Sequence, residues 1–167
     1  SRKTLFIETG KLLRELGGAD TVTGKMTKAV LDKGGLQPEF LPIYLWAGKL
    51  VNDYTGEEHI ICDGVSRRLP EAPVLASAFQ FYERKNPHIV LIDVGKEWSM
   101  ERLLARGRSD DAEEEINRRL AWFEENTMPA VNYFAENNYF SFHRINGEQS
   151  IESVHKDIIK AVGLGNE

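Results

Sequence analysis

The sequence predicts an α/β fold built on a parallel sheet, and three observations carry that expectation. The runs HIICD at 59–63 and HIVLIDV at 88–94 are rich in Ile and Val, with the near-continuous hydrophobicity of parallel strands covered on both faces. The stretches between such runs repeat their apolar residues at helical spacing. Strands and helices also alternate, as crossover connections between parallel strands require.

Taken in order, Thr4–Glu8 (TLFIE) is the first strand, followed by a short helix over Leu12–Leu16. A helix over Thr23–Lys33 comes next, with Met26, Val30 and Leu31 on one side and the Gly34–Gly35 pair as its stop. Another runs from Pro38 to about Tyr54 and carries Phe40, Ile43, Tyr44, Leu45 and Leu50. Its Pro42 lies in the first turn, where proline is tolerated. Beyond the strand at 59–63, helices are expected over Pro70–Arg84, Glu97–Arg106 and Asp110 to about Glu136, with Pro129 bending or dividing the last. Tyr139–Ile145 (YFSFHRI) is the final strand. Ser150 then caps a helix through Val162 whose apolar side holds Ile151, Val154, Ile158 and Ile159.

The chain of 167 residues is long enough for one core, and no repeat, low-complexity tract or linker divides it. A single domain over 1–167 is expected. The net charge of −5 disfavours a broad nucleic-acid surface but leaves room for a small anionic ligand beside a local arginine cluster. No apolar run approaches the roughly 18 residues of a membrane span. The start SRKTLFIETG lacks the apolar core of a signal peptide, so neither a membrane partner nor a leader is expected. The single cysteine, Cys62, cannot make an intramolecular disulfide, which suits a reducing cytoplasm. The four histidines, His59, His88, His143 and His155, show no zinc-ligand spacing.

Three strings carry candidate chemistry. Thr9-Gly10-Lys11-Leu12-Leu13-Arg14 follows a strand and opens a helix. Gly10 permits close backbone approach, the helix N-terminus favours an anion, and Arg14 lies one turn in. Asp63-Gly64-Val65-Ser66-Arg67-Arg68 leaves the carboxyl end of a strand, the usual place for ligands in open α/β sheets. There Asp63 can orient waters around a magnesium ion, and Arg67 can clamp phosphate. Arg102 and Arg106 stand one turn apart on one helix, where like charges repel unless an anion or a carboxylate neutralises them. Each string alone also reads as a turn or as solvated, paired charge.

Together the strings resemble the adenylate kinase family and its nucleoside monophosphate kinase relatives, from Thr4 to about Leu164 and in the family's order. Thr9-Gly10-x-Leu12-Leu13-Arg14 is similar to the helix opening that holds the acceptor nucleotide. Lys33-Gly34-Gly35-Leu36-Gln37-Pro38 is similar to the turn lining the adenosine pocket. Asp63-Gly64-x-x-Arg67 resembles the family's aspartate-glycine-aromatic-proline-arginine. Arg106-Gly107-Arg108-x-Asp110-Asp111, with Arg119 beyond, resembles the lid arginines and paired aspartates, and Ile145–Ile151 the segment touching the ATP adenine near Gln149.

The resemblance implies a P-loop-kinase-type three-layer α/β/α fold that transfers phosphoryl reversibly from MgATP to AMP, giving two ADP. It implies AMP contacts from Thr9, Gly10, Arg14, Gly35, Leu36, Gln37, Gly64, Arg67 and Glu71 within and beyond an NMP-binding part at 8–37. By the same resemblance Arg67, Arg106, Arg108 and Arg119 are catalytic, Arg102, Arg106 and Gln149 face ATP, and Asp63 holds Mg²⁺ through water. The oligomeric state stays open.

Departures accompany the match. Lys11 replaces an aspartate, and Val65-Ser66 replace the aromatic-proline pair. Glu71 stands where the family has an adenine-reading glutamine. Ionised glutamate only accepts hydrogen bonds, which suits guanine better, whereas Thr9 matches the adenine-type members. GMP or a pyrimidine nucleotide is therefore the alternative acceptor, and a non-catalytic nucleotide-binding relative is the alternative of another class. The lid shrinks to a remnant at 106–110.

Family members also begin with a strand and a glycine-rich loop ending in lysine, and nothing before Thr4 supplies them. Gly18–Met26 has one residue too many between its glycines and Met26 where Ser or Thr would bind magnesium; Gly10-Lys11 lacks the upstream glycine. By the resemblance that strand lies between 59–63 and 88–94. Its absence would leave both with unpaired backbone groups, each costing about 1–3 kcal/mol when buried. The expectation is an N-terminal segment preceding Ser1 in the natural protein, required for full activity.

Overall fold

Strand β1 (Thr4–Glu8) continues directly into helix α1 (Thr9–Gly17), and α2 (Val22–Leu31) and α3 (Phe40–Asp53) follow before β2 (His59–Asp63) and α4 (Glu71–Phe81). Then come β3 (His88–Asp93), α5 (Lys96–Arg106), α6 (Glu113–Trp122), a π-helical turn (Phe123–Thr127), α7 (Met128–Glu136), β4 (Ser141–Asn146) and α8 (Ile151–Ala161). The computed structural model describes residues 3–107 and 112–164. Its contacts gather into two units, Ser1–Glu83 and Arg84–Glu167.

Each unit holds one parallel strand pair. β1 pairs with β2, with Thr4 opposite His59 and Glu8 opposite Asp63. β3 pairs with β4, with His88 opposite Ser141 and Asp93 opposite Asn146. The predicted α/β class with parallel strands is therefore the observed one. The expectation that both middle strands are covered on both faces is not met: Ile61 and Ile92 are each 50% exposed. Among the described residues each of these strands has a ladder partner on one edge only. Side chains next to the open edge lack a strand neighbour on that side.

In the first unit, Leu5 and Ile7 of β1, Leu41, Trp46 and Leu50 of α3 and Ala72, Leu75, Ala76 and Phe79 of α4 are buried. Trp46 is 1% exposed, and burying so large a side chain contributes at least about 1.5–3 kcal/mol. The spacing 71, 72, 75, 76, 79 gives α4 a single buried stripe.

Helix α2 departs from its predicted face. Thr21 caps it by accepting the Gly24 N–H at 3.0 Å. Gly24 and Thr27 are its buried residues, while Met26 is exposed. The cause is close backbone approach: a Cβ at Gly24 would stand 2.2 Å from the Ala19 carbonyl oxygen and 2.8 Å from that of Leu16.

The second unit buries Ile116, Ala130, Phe134, Phe140 and Ile145. Phe134 and Phe140 meet edge to face at 4.9 Å. The helix expected to reach Glu136 is divided, as Pro129 requires, and the π-helical turn at Phe123–Thr127 lies just ahead of that proline. Pro129 donates no backbone hydrogen bond and crowds the preceding turn, and the wider turn absorbs the mismatch. Ser150 caps α8 by accepting the Ser153 N–H at 3.2 Å. Among the described residues no helix is long and apolar enough to cross a membrane.

Gly24→Ala is expected to destabilise the protein by about 1–3 kcal/mol, the usual cost of forcing extra volume into a packed contact. Urea unfolding of variant and wild type provides the measurement. An unchanged midpoint would show that α1 and α2 do not meet through this glycine.

Candidate functional site

The register of β1 with β2 sets Glu8 beside Asp63 at the carboxyl ends of both strands. From Glu8 the chain turns straight into α1, so the N–H groups of its first turn have no intrahelical partner. Arg14 folds back over this turn. A Cβ at Gly10 would lie 3.2 Å from Arg14 Nη1, and Arg14 Nη2 donates to Glu8 Oε1 at 2.8 Å. Glycine at position 10 thus admits the guanidinium to the helix N-terminus. Thr9 is buried and its hydroxyl makes no hydrogen bond.

From Asp63 the chain enters a loop in which Gly64 has φ +65° and Ser66 has φ +60°. Gly64 adopts this conformation at no steric cost, whereas Ser66 is held there at a cost of order 1–3 kcal/mol. The Ser66 hydroxyl is also buried without a hydrogen bond. Arg67 is exposed, while Arg68 Nη1 donates to Glu39 Oε1 at 2.5 Å. The Glu39 carboxyl is held below its ordinary value, chiefly by its own backbone N–H and then by Arg68.

Gly35 and Leu36 lie between α2 and α3, Gly35 close against Val30. Gln37 is buried, and its Nε2 donates to the Thr27 carbonyl at 3.0 Å. That side chain therefore joins the turn to α2.

Glu71 is the first residue of α4 and is 3% exposed. Burial raises its carboxyl above the ordinary 4.5, a shift opposed by Arg68 and Arg67 and reinforced by Glu39. Asp63 is exposed. Among the described residues no cluster of three or more His, Cys, Asp or Glu is disposed to hold a metal. With Glu8 paired to Arg14, Asp63 fits the oxygen chemistry of Mg²⁺ only as a partner for its coordinated water.

In the second unit Arg102 and Arg106 share the exposed side of α5. Arg102 lies over the Trp98 ring at 4.9 Å, a cation–π contact that steadies its stem. Arg106 is the last residue of α5, which Gly107 ends with φ +65°. Arg119 is half-buried on α6. Arg108, Asp110 and Asp111 lie outside the described residues. Gln149 Nε2 donates to the Asn146 carbonyl at 2.9 Å and to Asp157 Oδ2 at 2.8 Å, fixing the turn into α8.

An open cleft of about 540 Å³ lies at the carboxyl ends of β3 and β4, lined by Asp93, Val94, Gly95, Arg144, Asn146 and Glu148. Gly147 follows β4 at these strand ends. Its N–H donates to the Asp93 carbonyl at 2.8 Å, and a Cβ there would strike Val94 and Ile92 at 2.5 and 2.7 Å. The Gly95 N–H donates to Glu148 Oε1 at 2.7 Å, and Arg144 pairs with Asp93 at 3.4 Å.

Sequence reasoning did not find the Asp93–Arg144 pair, nor the approach of His88 to His143, whose ring nitrogens lie 2.9 Å apart. Residues so far apart in the chain carry no spacing signal; only the strand register joins them. Cys62 is exposed along one flank. Even so, enough protein surrounds the sulfur that desolvation pushes the thiol up to about 12, so it stays protonated near neutral pH.

The sequence model of the family described as Adenylate kinase matches residues 2–139. An adenylate kinase of Prochlorococcus marinus (strain AS9601) is 30% identical over 154 residues, 92% of this chain and 82% of that protein. Adenylate kinase 1 of Nostoc sp. (strain PCC 7120) is 31% identical over 157 residues, covering 94% and 84%. An adenylate kinase of Bacteroides fragilis (strain ATCC 25285) is 31% identical over 160 residues, covering 93% and 83%.

The burial of Glu71 has a consequence for stability. The folded carboxyl holds its proton more tightly than the unfolded chain does. The stability contributed by protonation is thus complete below the unfolded value and is lost as pH rises through the folded one. Glu71→Gln should therefore gain stability relative to wild type as pH is raised from about 4 to 8. Paired urea titrations at these pH values test this, and a constant difference would contradict it.

Proposed function

The chain belongs to the adenylate kinase family and has its P-loop-kinase type of α/β fold, and from that premise we propose that it transfers phosphoryl reversibly from MgATP to AMP, giving two ADP. One observation carries the acceptor half of this reading. Two arginine-bearing segments, Thr9–Arg14 and Asp63–Arg67, leave the carboxyl ends of adjacent parallel strands in the same unit. The guanidinium of the first already lies over a helix N-terminus. In this reading Arg14 exchanges Glu8 for the AMP phosphate, joined by Arg67, with Gly10 and Gly64 leaving room for it. Thr9, Gly35, Leu36 and Gln37 border the nucleoside.

Phosphoryl transfer needs positioning and charge neutralisation more than a covalent nucleophile, which suits a set of arginines. Arg106, Arg108 and Arg119 are assigned to the transferring phosphoryl group. Arg102 and Gln149 are assigned to ATP. Mg²⁺ bound with ATP would supply neutralisation of the phosphate charge, and Asp63 would hold one of its coordinated waters.

Glu71 bears on the acceptor base. A protonated carboxyl both donates and accepts, and so imitates the glutamine of relatives that read adenine; an ionised one only accepts and favours the donor edge of guanine. Burial favours the protonated form over the ionised one and so supports AMP, while the carboxylate form keeps GMP as the second reading. The preference for AMP over GMP should therefore fall as pH rises through the Glu71 value and stay flat in Glu71→Gln. Initial rates with AMP and GMP as a function of pH, in wild type and in Glu71→Gln, test this, and the same ratio in both proteins at every pH would remove Glu71 from base choice.

Arg14→Ala and Arg67→Ala should each raise the KM for AMP about 10- to 100-fold, since a charge-assisted hydrogen bond contributes about 1.5–3 kcal/mol. A coupled assay with MgATP and AMP, UMP, CMP or GMP, together with calorimetric titration of AMP, decides among the readings. Best turnover with another monophosphate overturns the AMP assignment. AMP binding without turnover of any acceptor, in protein that includes the segment expected before Ser1, marks a binding protein.

A further inference from the structure

The amino-terminal part of the β3–β4 pair holds a group of side chains unrelated to the proposed reaction. His88 lies opposite Ser141 and His143 opposite Val90, so the two imidazoles are diagonal neighbours on one face of the parallel ladder. His88 Nδ1 and His143 Nε2 are 2.9 Å apart. The ring planes are within 19° and the centres are 5.1 Å apart, so the rings meet nitrogen edge to nitrogen edge rather than face on face. Desolvation, and then the neighbouring His88, hold His143 below its ordinary value, so its ring is neutral near pH 7 and offers a lone pair.

We propose that His88 and His143 form a two-imidazole site for a late first-row divalent transition ion, Cu²⁺ or Ni²⁺ before Zn²⁺. Neutral imidazole is the side chain suited to these ions. Metal–nitrogen bonds of about 2.0–2.1 Å set two nitrogens about 2.8–3.0 Å apart in cis positions of a square-planar or octahedral site. The observed 2.9 Å matches that spacing. A tetrahedral zinc centre spreads them to roughly 3.3–3.4 Å. The ion sits beside the line joining the nitrogens, so each ring swings in its own plane, and His88 is exposed and free to do so. Water fills the other positions, because no third His, Cys, Asp or Glu joins the pair among the described residues. The ion replaces the shared proton and staples β3 to β4. His88 is five residues before Asp93, about 16 Å along the strand from the carboxyl-end cleft. The site is therefore independent of the kinase reading.

Calorimetric titration of tag-free protein with NiCl₂ and with CuCl₂ at pH 7.5, in a non-coordinating buffer, provides the test. One ion per chain is expected, with affinity at least tenfold lower in His88→Asn and in His143→Asn, each checked for native circular dichroism. His155→Asn and Cys62→Ser should bind as wild type does. Nickel should raise the Tm of wild type but of neither histidine variant, and binding should weaken at pH 5.5, where protons compete with the ion for ring nitrogen. Saturable binding that survives loss of either histidine, or no saturable binding at all, overturns the proposal.

Discussion

Parallel pairing is the constraint on which everything else in each unit depends. Parallel strands cannot be joined by a hairpin; the chain must return through a crossover of a dozen or more residues. In the first unit α1, α2 and α3 make that return, and in the second α5, α6, the π-helical turn and α7 do so. The same constraint brings the carboxyl ends of both strands together, Glu8 beside Asp63 and Asp93 beside Asn146. Loops that leave neighbouring strand ends share one edge, where helix N-termini and strained turns can meet a ligand.

That edge is also where polar groups lie buried without hydrogen bonds. Thr9 and Ser66, in the segments leaving β1 and β2, have buried hydroxyls without partners, and Ser66 adopts a left-handed backbone as well. Each such group costs about 1–3 kcal/mol, a cost that both segments leaving the strand ends carry. Glu71 adds a buried carboxyl facing Arg67, Arg68 and Glu39. Packing of α4 against the core sets its degree of burial, and burial in turn sets which hydrogen bonds it can offer.

Much of the architecture was legible because local chemistry announces it. Apolar runs located the four strands of the described residues, Ser150 marked the start of α8, and Pro129 marked a division in the long helical stretch. Two local readings failed for physical reasons that lie outside the segment. The apolar residues of α2 did not choose its buried side, because Gly24 permits an approach to backbone carbonyls that no larger residue allows. Ile61 and Ile92 are half exposed despite belonging to strands that read as fully covered, since covering needs neighbours that a strand's own residues do not specify.

The sequence by itself determined the order of strands and helices, the ends of several of them and the arginine-bearing segments that follow strand ends, because propensity, capping and turn chemistry act over a few residues. It also determined the family, through motifs kept in order. Tertiary structure alone decided what lies across from what. It turned Arg14 back onto Gly10 and Glu8, buried Glu71, opened the cleft between Asp93 and Glu148, and brought His88 to His143. Those outcomes depend on strand register and on helix packing, which join residues far apart in the chain and leave no periodic trace along it.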